Sequence, residues 1–353
     1  KKWKKSKKKI LIMRKKNYFC NYLYFILLPA TFLYRAIIFI RKIFYKYHIF
    51  RTNALPCKVI SVGNITVGGS GKTPTVEYIS RHLQSRGKKI GIISRGYRRK
   101  SKATLIVTDG ITKPQSWEDF GDEPYLLAQN LNNIPIIVGE SRYEAGTKMI
   151  ENFDPDIIIM DDGFQHISLY RDLDIVLVNS KDTKATHRLI PAGKLREPLS
   201  NLSRADLIIL SKSNVHKSSD YLINIIENIN RPILNNKIEL EDVLIGPKGN
   251  KNNLRNLNKE KIYLFSALGD HTGFEKTMIN TGAIIVGHSK YPDHHNYNSD
   301  DLKNIEQVAK NNNANFLITT EKDLVKINNY KGEMSLYAVR IKLVFEPENL
   351  LNE

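Results

Sequence analysis

The stretch VGNITVGGSGKTP, residues 62–74, decides the fold. VISV (59–62) is a short apolar run, rich in β-branched residues, which is typical of a buried strand. PTVEYISRHLQSRG (74–87) has apolar residues at helical spacing. A strand, a glycine-rich turn, Lys-Thr and a helix together are the context of a P-loop, which binds nucleotide phosphates.

The residue types in this turn suit phosphate binding. Glycines let successive backbone N–H groups point at phosphate oxygens, and the helix N-terminus adds a partial positive charge. Lys72 is expected to reach the β- and γ-phosphates, and the Thr73 hydroxyl to ligate Mg²⁺. The strict pattern has glycine where this chain has Thr66, so a structural turn that contains Gly-Lys-Thr by chance remains the alternative. The predicted nucleotide-binding residues are Thr66, Val67, Gly68, Gly69, Ser70, Gly71, Lys72 and Thr73.

A second Mg²⁺ anchor is predicted in DIIIMDDGFQH (156–166), where two carboxylates follow an apolar run. P-loop enzymes hold the cation partly through an acid at the end of a neighbouring strand. Two adjacent carboxylates at the end of a buried strand are costly without a cation. Asp161 and Asp162 are therefore predicted to bind Mg²⁺ together with Thr73, and a solvated turn is the alternative.

The rest of the chain alternates apolar runs with helical patterns, which favours an α/β fold. We expect a P-loop NTPase-like, mostly parallel sheet with helices on both faces. The predicted division is an N-terminal arm (1–50), a P-loop core (51–235) and a smaller C-terminal α/β lobe (236–353). The Asn- and Lys-rich stretch 235–261 has little periodicity and is interpreted as a hinge. Strands of the core are predicted at 59–62, 90–94, 134–138, 156–161, 174–178 and 206–211.

The net charge of +18 lies almost entirely in the first 76 residues, which include the arm. Seventeen of the 54 Lys and Arg residues precede Glu77, the first acidic residue, which leaves 37 basic against 36 acidic residues in the remainder. A nucleic-acid-binding body is expected to be basic itself, so this distribution argues against DNA or RNA as a partner. Two cysteines allow neither a disulfide framework nor a thiolate metal site.

The arm has the composition of a membrane-binding segment. Its longest uncharged run, residues 17–34, is marginal for spanning ~30 Å of hydrocarbon. Beyond Pro29, helical geometry groups Arg35, Lys42 and Lys46 on one face, with isoleucine and phenylalanine residues around the remainder. This pattern favours a helix in the membrane interface, with its cations toward anionic headgroups, over a true span or an ordinary core helix.

Later motifs resemble those of the tetraacyldisaccharide 4′-kinase (lipid A 4′-kinase) family. They occur in that family's order over residues 59–326, about three-quarters of the chain, and DDGFQH followed by LREP is far more specific than a P-loop. The family's own loop is similar in lacking the first glycine. The matching motifs are SVGNITVGGSGKTP (61–74), SRGYRR (94–99), GDEP (121–124), DDGFQH with RDLDIV (161–176), IPAGKLREP (190–198), YPDHHNY (291–297) and TTEKD (319–323).

The resemblance implies an enzyme of lipid A biosynthesis at the cytoplasmic face of the bacterial inner membrane, peripheral or anchored by its N-terminus. It implies ATP and Mg²⁺ as cofactors and transfer of the γ-phosphoryl group to the 4′-hydroxyl of a tetraacylated glucosamine disaccharide 1-phosphate. The expected partners are this lipid and an anionic membrane surface, without an obligate protein partner. A membrane-recruited P-loop NTPase switch without a lipid acceptor is the alternative function.

The resemblance also implies roles for five residues. Asp122 in GDEP resembles the catalytic base, and His294 in YPDHHNY resembles its partner. Arg196 in LREP is expected to neutralise the transferring phosphate, Glu197 to help hold Mg²⁺ or orient Arg196, and Arg142 to face phosphate. From the residues alone, Asp122 is equally well interpreted as a helix N-cap, and Arg196 with Glu197 as a surface ion pair.

Two further assignments stay open at this stage. His295 is a rival to His294, because a shift of one residue in the match exchanges them, and the two histidines with Asp293 also resemble a fragment of a zinc site. Arg95 and the pair at 98–99 in SRGYRR are candidates for binding the 1-phosphate of the substrate.

Overall fold

The structure is a computed structural model that describes residues 26–327 and 330–347. Within these residues the chain forms thirteen strands and eight α-helices. The strands are β1 (Lys58–Asn64), β2 (Ile90–Ser94), β3 (Leu105–Thr108), β4 (Ile136–Val138), β5 (Ile157–Asp161), β6 (Leu173–Asn179), β7 (Leu207–Ser211), β8 (Ile233–Ile245), β9 (Lys251–Asn253), β10 (Lys261–Ser266), β11 (Ile284–Lys290), β12 (Phe316–Thr320) and β13 (Ser335–Glu346). The helices are α1 (26–46 of the described residues), α2 (Lys72–Ser85), α3 (Asp122–Asn130), α4 (Arg142–Phe153), α5 (Asp220–Glu227), α6 (His271–Ile279), α7 (Ser299–Asn311) and α8 (Glu321–Leu324).

All thirteen strands belong to one sheet. Their order is β11-β10-β12-β13-β8-β7-β6-β1-β5-β2-β4-β3, and β9 pairs with β8. Most neighbours are parallel, and the antiparallel pairs are β3–β4, β8–β9 and β8–β13. The predicted fold class, a mostly parallel P-loop NTPase-like sheet, is confirmed. The predicted three-part division stays a prediction, and its second boundary falls inside β8.

The central strands are buried on both faces, which explains their continuous apolar sequences. Helix α2 packs Val76 and Ile79 on one face of the sheet, in a cluster with Val62. Helix α4 packs Ala145 and Met149 in a separate cluster. The P-loop strand β1 therefore lies in the middle of a sheet that is covered on both faces.

The C-terminal strands are also covered by helices on both faces, and successive side chains pack against opposite faces. In β10, Ile262 and Leu264 cluster with α6, whereas Tyr263 and Phe265 cluster with α7. The expectation of an irregular hinge at 235–261 is wrong, because this stretch includes most of the long strand β8, followed by β9. The polar residues of this stretch lie on β8, which pairs with β13 in an antiparallel ladder.

Helix α1 lies against the body through polar contacts. Tyr34 Oη donates to the carbonyl of Arg196 at 2.8 Å, and Arg41 donates to the carbonyl of Gln165 at 3.0 Å. Lys42 Nζ lies 3.2 Å from Asn201 Oδ1, so the expectation that this lysine points toward headgroups is wrong. The body offers Lys42 a polar partner that helical periodicity does not reveal.

The outward side of α1 is apolar. Six large apolar side chains of the helix are at least 48% exposed, which leaves a continuous uncovered face. These residues are Ile26, Phe32, Leu33, Ile37, Phe39 and Ile40. Among the described residues, no helix combines the length and hydropathy needed to cross a bilayer. The basic leader and residues 17–25 of the uncharged run lie outside the described residues.

Candidate active site

The turn after β1 has the backbone of a phosphate-binding loop. Gly68 and Gly71 have φ values of 120° and 87°, in the left-handed region that side chains rarely adopt. Gly71 is the N-cap of α2 and provides no side-chain cap, so the first amides of the helix stay available to a ligand. Buried Asn64 holds the loop, because its Nδ2 lies 2.6 Å from the Thr66 carbonyl and 2.8 Å from Ser70 Oγ.

Thr66 replaces the first glycine of the strict pattern without strain. It forms an isolated antiparallel bridge with Leu195, a backbone conformation that any residue adopts. The next amide, that of Val67, donates to the carbonyl of Lys194 at 2.8 Å, and the amide of Arg196 donates to the carbonyl of Ile65 at 2.8 Å. These bonds pin the LREP segment to the P-loop and bring Arg196 to its side.

The two acids end the strand next to the P-loop strand, since Val62 of β1 pairs in register with Asp161 of β5. Asp162 Oδ1 lies 3.5 Å from Lys72 Nζ, and both Asp162 oxygens lie 2.9 Å from Arg196 Nη1. Burial works against ionisation of Asp162, but the charges of Lys72 and Arg196 outweigh it and lower its pKa. The acids and the P-loop lysine therefore converge on one site.

Asp161 provides the observation that tests a cation site. It is 1% exposed, its Oδ2 accepts from Ser94 Oγ at 3.1 Å, and its Oδ1 has no hydrogen-bond partner in the described part of the chain. Burial, followed by the charges of Glu123 and Asp162, raises the pKa of Asp161 to about 7. A buried carboxylate oxygen without a donor is the ligand that a hard cation requires, so the residues fit Mg²⁺.

The donor set also suits Mg²⁺ with a nucleotide. Thr73, Asp161 and Asp162 all line the same cleft. No cluster of three or more His, Cys, Asp or Glu residues in metal-binding geometry occurs in residues 26–327 and 330–347. Mg²⁺ commonly takes only one or two carboxylates and completes its shell with phosphate oxygens and water.

A second pair of titratable groups lies across the cleft. His294 Nδ1 is 2.8 Å from Asp122 Oδ2, although 172 residues separate them. His295 instead lies 2.9 Å from Asp301. The alternative that Asp122 is the helix N-cap is wrong, because the N-cap of α3 is Gly121. Asp122 is 3% exposed, whereas His294 lines the cleft.

Apart from the buried Asp122, these groups share one cleft of about 1080 Å³. The P-loop, the two acids and His294 line one part of it, and Tyr34 and Arg41 of α1 also contribute to its wall. Strands β8 and β13 and helix α6 contribute an apolar part, formed by Ile238, Leu240, Phe274, Val339, Ile341 and Leu343. The cleft thus combines a phosphate-binding end with an apolar wall.

A family model described as tetraacyldisaccharide-1-P 4′-kinase matches residues 23–353. The chain belongs to this family. A curated tetraacyldisaccharide 4′-kinase from Aquifex aeolicus is 37% identical over 330 residues, which cover 93% of this chain and 96% of the relative. One from Syntrophus aciditrophicus is 38% identical over 313 residues, which cover 83% and 82%.

The crystal structure of LpxK from Aquifex aeolicus, an "apo" form in complex with ATP, is similar with a TM-score of 0.75 and 36% identity. The match covers 93% of this chain and 97% of that chain. The resemblance of the motifs to this kinase family is therefore confirmed, and so is the enzyme class, a phosphotransferase with an alcohol acceptor.

Of the other residues predicted from the tetraacyldisaccharide 4′-kinase motifs, some line the cleft and some do not. Arg142, at the start of α4, is 3% exposed and lines the cleft, with Nη1 2.7 Å from the Gly139 carbonyl. Burial lowers its pKa to about 10, against the charges of Asp161 and Asp162, so it stays a cation at neutral pH. Its Nε has no partner in the described residues, which suits an anionic ligand.

Glu197 is not brought to the cation site. Its carboxylate lies 2.7 Å from Asn201 Nδ2 and 2.9 Å from Arg204, and it lines a separate small hollow beneath α1. Arg204 in turn lies over the Phe164 ring at 4.4 Å. The contacts of Glu197 therefore hold the segment after LREP, rather than Mg²⁺ or the side chain of Arg196.

Of the three arginines of SRGYRR, two line the cleft and one does not. Arg95 and Arg98 line the cleft, and Arg98 donates to the carbonyl of His294 at 3.1 Å. Arg99 donates to the carbonyl groups of Lys102 and Ala103, away from the cleft.

Sequence reasoning missed two lysines of the tetraacyldisaccharide 4′-kinase site. Lys322 and Lys326 follow β12 and reach Glu123 and Asp122 of α3, at 3.0 and 3.2 Å. The only signal was the TTEKD motif and the spacing of four residues between the lysines, which indicates one helical face.

Proposed function

We propose that this protein transfers the γ-phosphoryl group of ATP to the 4′-hydroxyl of a tetraacylated glucosamine disaccharide 1-phosphate, at the cytoplasmic face of the inner membrane. The observation that carries the proposal is the single cleft shared by the P-loop, the acid pair and His294. The groups that bind the nucleotide phosphates and the group that accepts the proton can therefore act on ATP and the lipid acceptor in one cleft.

The phosphate-binding residues prepare the transfer. Loop amides and Lys72 hold the β- and γ-phosphates, and Arg196 and Arg142 neutralise charge on the transferring group. Thr73, Asp161 and Asp162 would hold Mg²⁺, which when bound neutralises phosphate charge. Phosphoryl transfer passes through a loose transition state, so orientation and charge neutralisation supply most of the catalysis.

The Asp122–His294 pair handles the acceptor proton. The 4′-oxygen forms its bond to the γ-phosphorus while the bond from this phosphorus to the oxygen that bridges it to the β-phosphorus breaks. ADP leaves, and the hydroxyl proton passes to the carboxylate of Asp122, whose orientation His294 holds. Burial opposes ionisation of Asp122, but the hydrogen bond from His294 and the charge of Lys322 lower its pKa well below the usual range. A weak base suffices, because the proton moves late in such a transfer.

Membrane association supports the choice of a lipid acceptor. The uncovered apolar face of α1 is suited to a bilayer interface. The same helix contributes Tyr34 and Arg41 to the cleft wall, so the cleft opens beside it. Basic residues of the arm favour an anionic surface, and neither nucleic acid nor an obligate protein partner is part of the proposal.

The deciding experiment measures transfer of label from γ-labelled ATP to a tetraacyl-disaccharide 1-phosphate, with and without Mg²⁺. We expect labelled lipid only with Mg²⁺ and negligible ATP hydrolysis without the lipid. Hydrolysis that is independent of the lipid, with no labelled lipid, would instead support a membrane-recruited NTPase switch.

A further inference from the structure

The cleft contains a cation, Lys322, whose contact with the His294 ring the proposed mechanism does not use. Lys322 Nζ lies 3.3 Å from His294 Nε2, 3.0 Å from Glu123 Oε1 and 3.5 Å from Asp293 Oδ1. Burial works against its charge, but the carboxylates, Glu123 first, outweigh burial and raise its pKa. The group beside the imidazole is therefore an ammonium ion at any working pH.

The two ring nitrogens of His294 face groups of opposite hydrogen-bonding character. Asp122 is an ionised carboxylate that only accepts, so Nδ1 must donate to it. Lys322 only donates, so Nε2 must accept from it. Asp293, at 3.8 Å from Nε2, is too far to accept a hydrogen bond. These contacts are compatible with only one protonation state of the ring.

We infer that Lys322 is a positioning residue, which holds His294 as the neutral tautomer with its proton on Nδ1. An imidazolium ion would place two donors against each other at Nε2 and two cations 3.3 Å apart. The inference rests on the proposed function, because it assigns Lys322 to the proton-accepting pair of that reaction.

A second lysine supports the other end of the pair. Lys326 Nζ lies 3.2 Å from Asp122 Oδ2, and its side chain is 1% exposed. Lys322 and Lys326 therefore bound the Asp122–His294 pair on both sides. Other groups near His294 are Arg98, which contacts its carbonyl, and Tyr97, whose ring lies edge-on at 5.3 Å.

The test compares Lys322→Met with Lys322→Arg. We expect Lys322→Met to lower kcat by about tenfold to a hundredfold, part of the usual contribution of a general base, with the KM for ATP within about twofold of wild type. The acidic limb of the pH–rate profile should move to higher pH, because a positive charge beside the proton-accepting pair is removed. Lys322→Arg keeps the charge and should recover part of kcat.

A control is Lys310→Met, which removes a lysine of α7 that pairs with Glu306 and with Glu333. This substitution should change neither kcat nor the pH profile. In a His294→Gln background, Lys322→Met should lower kcat much less than it does in the wild type, because the positioning effect of Lys322 requires the ring. An equal loss of kcat in that background overturns the inference.

Imidazole ¹⁵N NMR of the wild-type protein tests the tautomer without catalysis. The His294 signals, assigned by their loss in His294→Gln, should show a proton on Nδ1 and a bare Nε2 at neutral pH. A proton on Nε2 overturns the inference, even if Lys322→Met does not fold. Absence of lipid phosphorylation by the wild type would refute the proposed function and leave this spectroscopic result standing.

Discussion

The apolar face of α1 offers a quantitative test of membrane recruitment. Leu33, Ile37 and Ile40 lie on that face with exposures of 65%, 54% and 48%. Complete burial of such a side chain contributes about 1.5–3 kcal/mol, so covering the exposed half of each contributes about 1 kcal/mol. Replacing all three with glutamine should therefore remove about 3 kcal/mol of membrane affinity, which is more than a hundredfold in the partition constant.

The assay is co-sedimentation of the full chain with vesicles that contain anionic phospholipid. The matched control replaces Ile111, Ile223 and Ile284 with glutamine, since these are 78%, 38% and 50% exposed on other parts of the body. The control should bind vesicles as the wild type does. Glutamine supports helix formation, so the melting temperature of the α1 variant should stay within a few degrees of wild type. The control positions are partly exposed, so the control variant should also stay folded.

Two results would refute this reasoning. Unchanged vesicle binding by the α1 variant would mean that another surface recruits the protein. An equal loss in the control variant would mean that total surface hydrophobicity, rather than the face of α1, determines binding. High salt should weaken the contribution of basic residues but not that of the apolar face.

Three further outcomes are expected. Asp122→Asn should lower kcat by about 10²–10⁴-fold with little change in ATP affinity measured by calorimetry, and full activity would remove the base assignment. The apparent Mg²⁺ affinity in the presence of ATP should fall as pH drops below about 7, by up to about tenfold per unit, because burial raises the pKa of Asp161 and the cation must then displace a proton. Asp161→Asn should reduce this pH dependence to that of ATP itself. Asp270→Asn should lower the free energy of unfolding by about 3 kcal/mol in denaturant titration, since Asp270 neutralises the buried Lys212 at 3.0 Å and Lys181 at 2.9 Å; an unchanged midpoint would contradict this.

Local patterns predicted most of the core of the fold. All six strands predicted in residues 59–211 are present, with ends that differ by at most two residues. The P-loop was predictable because strand, turn and helix are contiguous, and each is indicated by its own residues. The long strand β8 was missed because its Asn and Lys residues obscure the alternation of apolar and polar residues that indicates a strand. Its backbone hydrogen bonds are made with the antiparallel strand β13.

Contacts distant in the sequence were not predictable from residue patterns. Asp122 and His294 meet because the loop after β11 reaches the start of α3, and only the family resemblance suggested the pair. Helical periodicity predicted that α1 is amphipathic, but it could not reveal that Lys42 forms a hydrogen bond with Asn201. The separation of Glu197 from the cation site likewise depends on Arg204, which no motif indicated.

The position of the proton-accepting pair has a consequence for selectivity. Asp122 belongs to α3, and its side-chain partners His294 and Lys326 both come from the C-terminal part of the chain. In the proposed mechanism, the nucleotide phosphates are instead bound by the loop after β1, whose bonds to Asn64 and to the LREP segment involve neither His294 nor Lys326. A change that loosens the C-terminal segment from α3 therefore disrupts the base before it disrupts ATP binding. Because a base without its orienting histidine is ineffective, this arrangement limits phosphoryl transfer to water when the cleft is incomplete.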